Sequence, residues 1–184
     1  MALPSTIYRA TIELSDVDRN VYETLSVTVA RHPSETEERM VARLLSLALF
    51  SEPGLSFTKG LSATEEPDLW VLGPDGRVRL WVEVGLPDAE RIAKAVRHAE
   101  RVGLLAFGAR ALATWDQQQL PKLEGIRNLT VVSLEQAFIA SLAASLERVI
   151  SWSITISDGI VYLTSGQDTS EAEVTVKLGS LSTR

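Results

Sequence analysis

The chain reads as an α/β protein: a mixed central sheet flanked by helices, with an additional antiparallel β subdomain built from its N- and C-terminal strands. Three observations predict this. Between residues 69 and 133, segments with strand and helix periodicity alternate, an order that implies parallel crossovers within one sheet. In the C-terminal third, Ile150, Trp152, Ile154 and Ile156 alternate with Ser151, Ser153, Thr155 and Ser157, the period-two pattern of a sheet with one wet face. The N-terminus does the same, with Tyr8, Ala10, Ile12 and Leu14 set against Ile7, Arg9, Thr11 and Glu13. At 184 residues and 45% hydrophobic, the chain has enough sequence for one sizeable core and too little for two full domains. A single unit is expected, with residues 31–148 as the α/β core and 1–30 and 149–180 as the β-rich extension.

In chain order, strands are expected at Thr6 to Leu14 and Val21 to Ala30. A helix follows, announced by Ser34 with Glu37 three residues later, a capping-box spacing, and carried by Val41, Leu44, Leu45 and Ala48 until Pro53-Gly54 stops it. That helix starts acidic and carries Arg39 and Arg43 further on. Next comes a hairpin whose turn, Gly73-Pro74-Asp75-Gly76, suits type I geometry between two β-forming runs. Asp88 is placed to cap a helix reaching about Val102, with Ile92, Ala95, Val96 and Ala99 on its apolar side. Val102 to Phe107 reads as a buried strand, Ala109 to Gln118 as a helix, Leu129 to Ser133 as a strand and Glu135 to Arg148 as an amphipathic helix. Asp158-Gly159 turns the strand at Ile150 into Ile160 to Thr164, and a last strand through Val174, Val176 and Leu178 is expected to complete that antiparallel sheet. Leu181 to Arg184 is expected to fray.

Composition narrows the chemistry. The chain has no cysteine, which excludes disulfides, thiolate metal sites and cysteine nucleophiles; its two histidines are too few for a histidine-built zinc site. There is no run of about 18 apolar residues and no signal-peptide pattern, so a cytoplasmic protein is expected. A net charge of −6 argues against bulk affinity for nucleic acid, and any such role must rest on a local basic patch. Serine-hydrolase elbow, P-loop and dinucleotide-binding glycine signatures are all missing from the sequence.

The hairpin holds the candidate site. If its loop has two or four residues, Asp68 faces Trp81, Glu66 faces Glu83, and Asp68 and Glu83 become diagonal neighbours on one face with Cβ atoms roughly 7 to 8 Å apart. An odd loop would send the two carboxylates to opposite faces. Magnesium needs only one or two protein carboxylates beside water and phosphate oxygens, so Asp68 and Glu83 meet the minimum for Mg²⁺, with Mn²⁺ as a substitute. Such a metal would polarise a phosphodiester and activate water. Lys94 is a geometric candidate for a companion cation. Glu83 lies roughly 7 Å below the end of its strand and Lys94 roughly 9 Å down the returning helix, so their depths match. Arg91, Lys94, His98 and Arg101 recur at helical spacing and form one basic stripe, the local patch a nucleic-acid partner would need. The default role of that stripe is a solvated helix face, diluted by Glu90 and Glu100. For Trp70 and Trp81 the default is core packing, with base stacking as the sharper alternative.

Taken together, Arg31 to Met40, Glu66-Pro67-Asp68-Leu69-Trp70, Leu80 to Asp88 and Arg91 to Ala95 resemble the bacterial YaeQ family over nearly the whole chain. The resemblance implies a variant of the PD-(D/E)XK restriction-endonuclease-like fold. It also implies that Asp68 and Glu83 are the metal-binding acidic pair, that Glu35 or Glu38 is the extra helix carboxylate, and that Lys94 is a migrated lysine. The wider superfamily places that lysine two residues after the strand glutamate, where this chain has Gly85. Glu35 and Glu37 already have a role in complementing the helix N-terminus, which makes Glu38 the preferred helix carboxylate; His32, before a proline, reads as structural. Two functions follow as expectations. One is a Mg²⁺-dependent phosphodiesterase or nuclease using Asp68, Glu83, Lys94 and Glu38 or Glu35, with Arg91, His98 and Arg101 on the substrate. The other is a noncatalytic nucleic-acid- or protein-interaction module that retains a degenerate nuclease fold.

Overall fold

Strand β1 (Thr6–Asp16) turns tightly into β2 (Val21–Arg31), and the alternation read from the sequence is realised: Tyr8, Ala10, Ile12 and Leu14 are buried while their neighbours face out. The computed structural model describes residues 4–59 and 65–181, so most of the tail expected to fray lies outside the described residues. On its other edge β1 receives β8 (Val149–Ser157), which continues through β9 (Ile160–Ser165) and β10 (Asp168–Glu173) to give a five-stranded sheet ordered β10-β9-β8-β1-β2.

The central sheet has six strands, ordered β11 (Thr175–Leu178), β7 (Leu129–Ser133), β6 (Ala99–Ala106), β5 (Val78–Val84), β4 (Leu69–Leu72) and β3 (Ser56–Phe57). Its middle three strands are parallel, as the helix crossovers require, and its flanking strands are antiparallel. Helix α1 (Glu37–Leu49) is buried continuously from Met40 to Leu49 because it packs between the two sheets, with α4 (Gln136–Ala144) beside it. Helices α2 (Ala89–His98) and α3 (Ala109–Gln118) cover the opposite face of the central sheet over Ile92, Val102, Leu104, Trp115 and Leu129. The layers therefore run sheet, helix pair, sheet, helix pair.

The structure corrects five sequence expectations. The terminal sheet is mixed, because β1 and β8 pair in parallel; parallel neighbours need a long connection, and residues 32–148 supply it. The last strand, β11, leaves that sheet and adds to the central one beside β7. Its expected place is taken by β10, whose sequence Asp-Thr-Ser-Glu-Ala-Glu buries only Ala172 and so shows no hydrophobic alternation. Helix α2 stops at His98 instead of near Val102, since Ala99 turns extended to pair with Val78 and the two-sided ladder of β6 outweighs local helix propensity. Helix α4 stops at Ala144 instead of Arg148, and Arg148 offers its carbonyl to the Arg9 N–H at 2.8 Å as β8 begins. Helix α1 is capped by Thr36, whose hydroxyl accepts from the Arg39 N–H at 3.2 Å; Ser34 instead meets the His32 ring. Among the described residues no helix is long and apolar enough to cross a membrane.

Candidate functional site

The hairpin brings its two carboxylates near each other in a register that differs from the expected one. Leu72 pairs with Val78, leaving an odd, five-residue loop that by itself would split Asp68 from Glu83. Arg79 then bulges between Val78 and Leu80, and the added residue restores the parity. Trp70 faces Trp81 and Leu69 faces Val82; Asp68, just before β4, donates its backbone N–H to the Val82 carbonyl at 3.0 Å and lies near enough to Glu83 to act on its charge. Both carboxylates are buried, at 3% and 5% exposure.

Each is held by protein donors. Asp68 Oδ1 accepts Arg39 Nη2 at 2.6 Å and lies 3.7 Å from Arg43 Nε; Oδ2 accepts the Val84 N–H at 2.8 Å. Glu83 Oε1 accepts Trp81 Nε1 at 2.8 Å and Arg91 Nε at 2.9 Å, with Arg91 Nη2 at 2.8 Å. Glu35 folds inward from just before α1, and its carboxylate takes Arg39 Nη1 at 2.9 Å and Arg43 Nη1 at 3.1 Å. The result is a set of three carboxylates and three guanidiniums in two adjacent groups: Glu35 and Asp68 share Arg39 and Arg43, and the Glu83–Arg91 pair sits beside them, near enough for Asp68 to act on Glu83. Burial works against the charged form of Arg39, but Asp68 and Glu35 outweigh it and raise its pKa. Burial raises the pKa of Glu83, helped by Asp68 and opposed by Trp81 and Arg91.

The other predicted site residues separate from this network. Glu38, the preferred helix carboxylate, faces α4 and accepts Gln136 Nε2 at 2.8 Å; Glu35 is the one that joins Asp68 through the arginines. Helix geometry explains the exchange: Arg39 and Arg43, four residues apart, share the side toward Asp68, and Glu38 lies about 100° round the helix from Arg39, on the side of α4. Lys94 pairs with Glu65 at 2.7 Å on the surface, and Arg91, one turn earlier, takes the place at Glu83. His98 is exposed, with Nδ1 2.8 Å from the Lys94 carbonyl. Arg101 leaves the basic stripe, because it sits on β6 and pairs with Glu52 at 2.7 Å. Gly85 has φ +118, a conformation L side chains rarely adopt, so the backbone there has already left the strand geometry that would aim a lysine back at Glu83.

A divalent metal is poorly served by this donor set. One Asp68 oxygen is ion-paired with Arg39 and the other takes the Val84 amide, while three guanidiniums match the three carboxylates in charge. Only the second Glu83 oxygen is without a hydrogen bond among the described residues, and no group of three or more His, Asp or Glu among them could hold a metal ion. Arg39 and Arg43 are what sequence reasoning missed, while Arg91, expected on the substrate, holds Glu83. Their signal is the four-residue spacing of Glu35, Arg39 and Arg43, and the position of Arg43 amid the apolar residues Val41, Leu44 and Leu45.

Beside the network, α2 and the hairpin enclose an open groove of about 810 Å³, lined by Arg77, Trp81, Arg91, Lys94, Arg97 and His98, with Glu65, Asp88, Glu90 and Glu100 at intervals.

The sequence model of the YaeQ protein family matches residues 1–174. The chain is 40% identical over 175 residues to the "Uncharacterized protein YaeQ" of Escherichia coli (strain K12) and to that of Salmonella typhi, covering 95% of this chain and 97% of each relative. The fold superposes on the crystal structure of YaeQ protein from Pseudomonas syringae with a TM-score of 0.92 and 40% identity, covering 98% of this chain and 99% of that one. The YaeQ protein from Xanthomonas axonopodis pv. citri gives 0.92 and 34%, over 96% and 99%. With sequence and fold agreeing over nearly the full length, the chain belongs to the YaeQ family.

Proposed function

We propose that this protein is a noncatalytic nucleic-acid interaction module on a degenerate PD-(D/E)XK restriction-endonuclease-like scaffold, in which arginines stand against the acidic pair where the wider superfamily uses magnesium. The observation that carries this reading is the double position of Arg91. It clamps Glu83 at 2.8 Å and also lines the groove that Lys94, Arg97, His98, Arg77 and Trp81 share. Guanidinium and ammonium groups beside an aromatic ring suit a phosphate backbone and an unpaired base. With a net charge of −6, such contacts need a local basic face of this kind.

A Mg²⁺-dependent phosphodiesterase is the second reading, favoured by the nearness of the buried carboxylates Asp68 and Glu83, with Glu35 joined to Asp68 through Arg39. It requires Arg39 to release Asp68, and Lys94 to leave Glu65. Anisotropy with labelled single- and double-stranded DNA and RNA at low salt, in chelator and then in Mg²⁺ or Mn²⁺, separates the two. The module reading expects metal-independent binding without cleavage, weakened roughly tenfold or more when Lys94 and Arg97 are reversed to glutamate. Cleavage that Asp68→Ala abolishes supports the enzyme instead. A wild type that binds no nucleic acid overturns both in favour of a protein partner.

A further inference from the structure

We infer that Arg39 is the resident cation of the acidic site, a fixed part of the chain that keeps divalent metal off Asp68. This rests on the metal-independent reading above. Arg39 touches the carboxylates of two separate segments, Glu35 Oε1 at 2.9 Å through Nη1 and Asp68 Oδ1 at 2.6 Å through Nη2, and so ties them together. Unlike Arg43, which is 3% exposed and stacks over the Phe57 ring at 5.1 Å, Arg39 keeps 21% of its side chain open to solvent. It reaches the site from its edge.

The charges give the inference its content. Glu35, Asp68 and Glu83 carry three negative charges, and Arg39, Arg43 and Arg91 carry three positive ones, so the intact network has no net attraction for a dication. Withdrawing Arg39 leaves three carboxylates against two guanidiniums, with Asp68 Oδ1 keeping only Arg43 Nε at 3.7 Å and Glu35 Oε1 only Arg43 Nη1 at 3.2 Å. An oxygen-rich, net negative, partly desolvated position is what Mg²⁺ and Mn²⁺ bind. Arg39 thus decides whether the site holds a metal, and an Arg-to-neutral change at this one residue converts a salt-bridge network into a metal site.

The test is calorimetric titration of Mn²⁺ into the wild type, Arg39→Gln, Arg39→Lys and Arg39→Gln/Asp68→Asn, with thermal melting of each variant in chelator and in millimolar Mn²⁺. Arg39→Gln is expected to bind one Mn²⁺ per chain roughly a hundredfold more tightly than the wild type, the effect of removing one adjacent unit charge. Arg39→Lys, which keeps the charge, and the double variant are expected to stay at the wild-type level. If Arg39→Gln is only partly folded, melting still decides, because a ligand of the folded state raises the midpoint. An Arg39→Gln midpoint that Mn²⁺ leaves in place overturns the inference while the metal-independent reading stands. Tight Mn²⁺ binding by the wild type overturns both, and equal gains in Arg39→Gln and Arg39→Lys show that charge is not what excludes the metal.

Discussion

Glu83 is pulled in two directions by its immediate surroundings. Removal from water and the facing Asp68 favour its neutral form, Trp81 and Arg91 favour its charged form, and the first pair prevails. The folded chain therefore holds the Glu83 proton more tightly than the unfolded chain does. Its contribution to stability is full below the ordinary value of 4.5 and is lost as pH rises through the raised folded value. Glutamine at this position does not titrate. Urea denaturation of wild type and Glu83→Gln across the acidic range is expected to show the difference in unfolding free energy moving in the wild type's favour as pH falls from neutral toward 4.5. A difference independent of pH would show that Glu83 is not held in this strained balance. At the same scale, Arg39, Arg43 and Arg91 explain how three acids are tolerated where water is scarce: breaking a buried pair at one end typically costs about 3–5 kcal/mol, so each partner enforces the next.

At the scale of elements, the site depends on two strands meeting α1 and α2 in one register. The Arg79 bulge shifts the register between β4 and β5, and the phase of α1 turns Arg39 and Arg43 toward Asp68. Helix α1 is further tied at its C-terminal end by Arg19, whose guanidinium donates to the Ala48 carbonyl at 2.9 Å and the Ser51 carbonyl at 3.2 Å while pairing with buried Asp16. Strand β6 admits the end of α1 only because Gly103 has no side chain; a Cβ there would lie 2.6 Å from the Phe50 ring. Gly103→Ala is expected to lower stability by about 1–3 kcal/mol. Phe50→Leu in the same chain is expected to recover part of that loss, read as a positive coupling in a double-mutant cycle by urea denaturation. Additive effects would place the strain elsewhere.

For the whole molecule, the decisive feature is that α1 belongs to both sheets. The inner residues of the terminal sheet, Ile12, Trp152, Ile154 and Leu163, share one hydrophobic cluster with Leu45, Leu69, Val82 and Leu105, so the β-rich extension has no core of its own. Strand β11 reinforces this by crossing from the terminal sheet to the central one. Chains that retain Trp152 or Trp115 as their one tryptophan are expected to report the same denaturant midpoint, since the first lies in the shared cluster and the second, on α3, in the cluster over the other face of the central sheet. Separated midpoints would make the terminal sheet an independent unit.

Local pattern was enough to read the alternation in β1 and β8 and the Asp88 cap of α2, because each depends on neighbours within a few residues, whereas bringing Asp68 beside Glu83 took a five-residue loop and a bulge at Arg79. The sequence also named Asp68, Glu83 and, as one of two options, Glu35. What it did not determine was the company these acids keep. Whether Arg39 or a metal faces Asp68, whether Arg91 or Lys94 reaches Glu83, and whether β11 joins one sheet or the other all depend on segments tens of residues apart being brought together. At those distances a carboxylate is satisfied by whichever charge the packed core delivers to it, and only the tertiary structure decides that this charge is an arginine's.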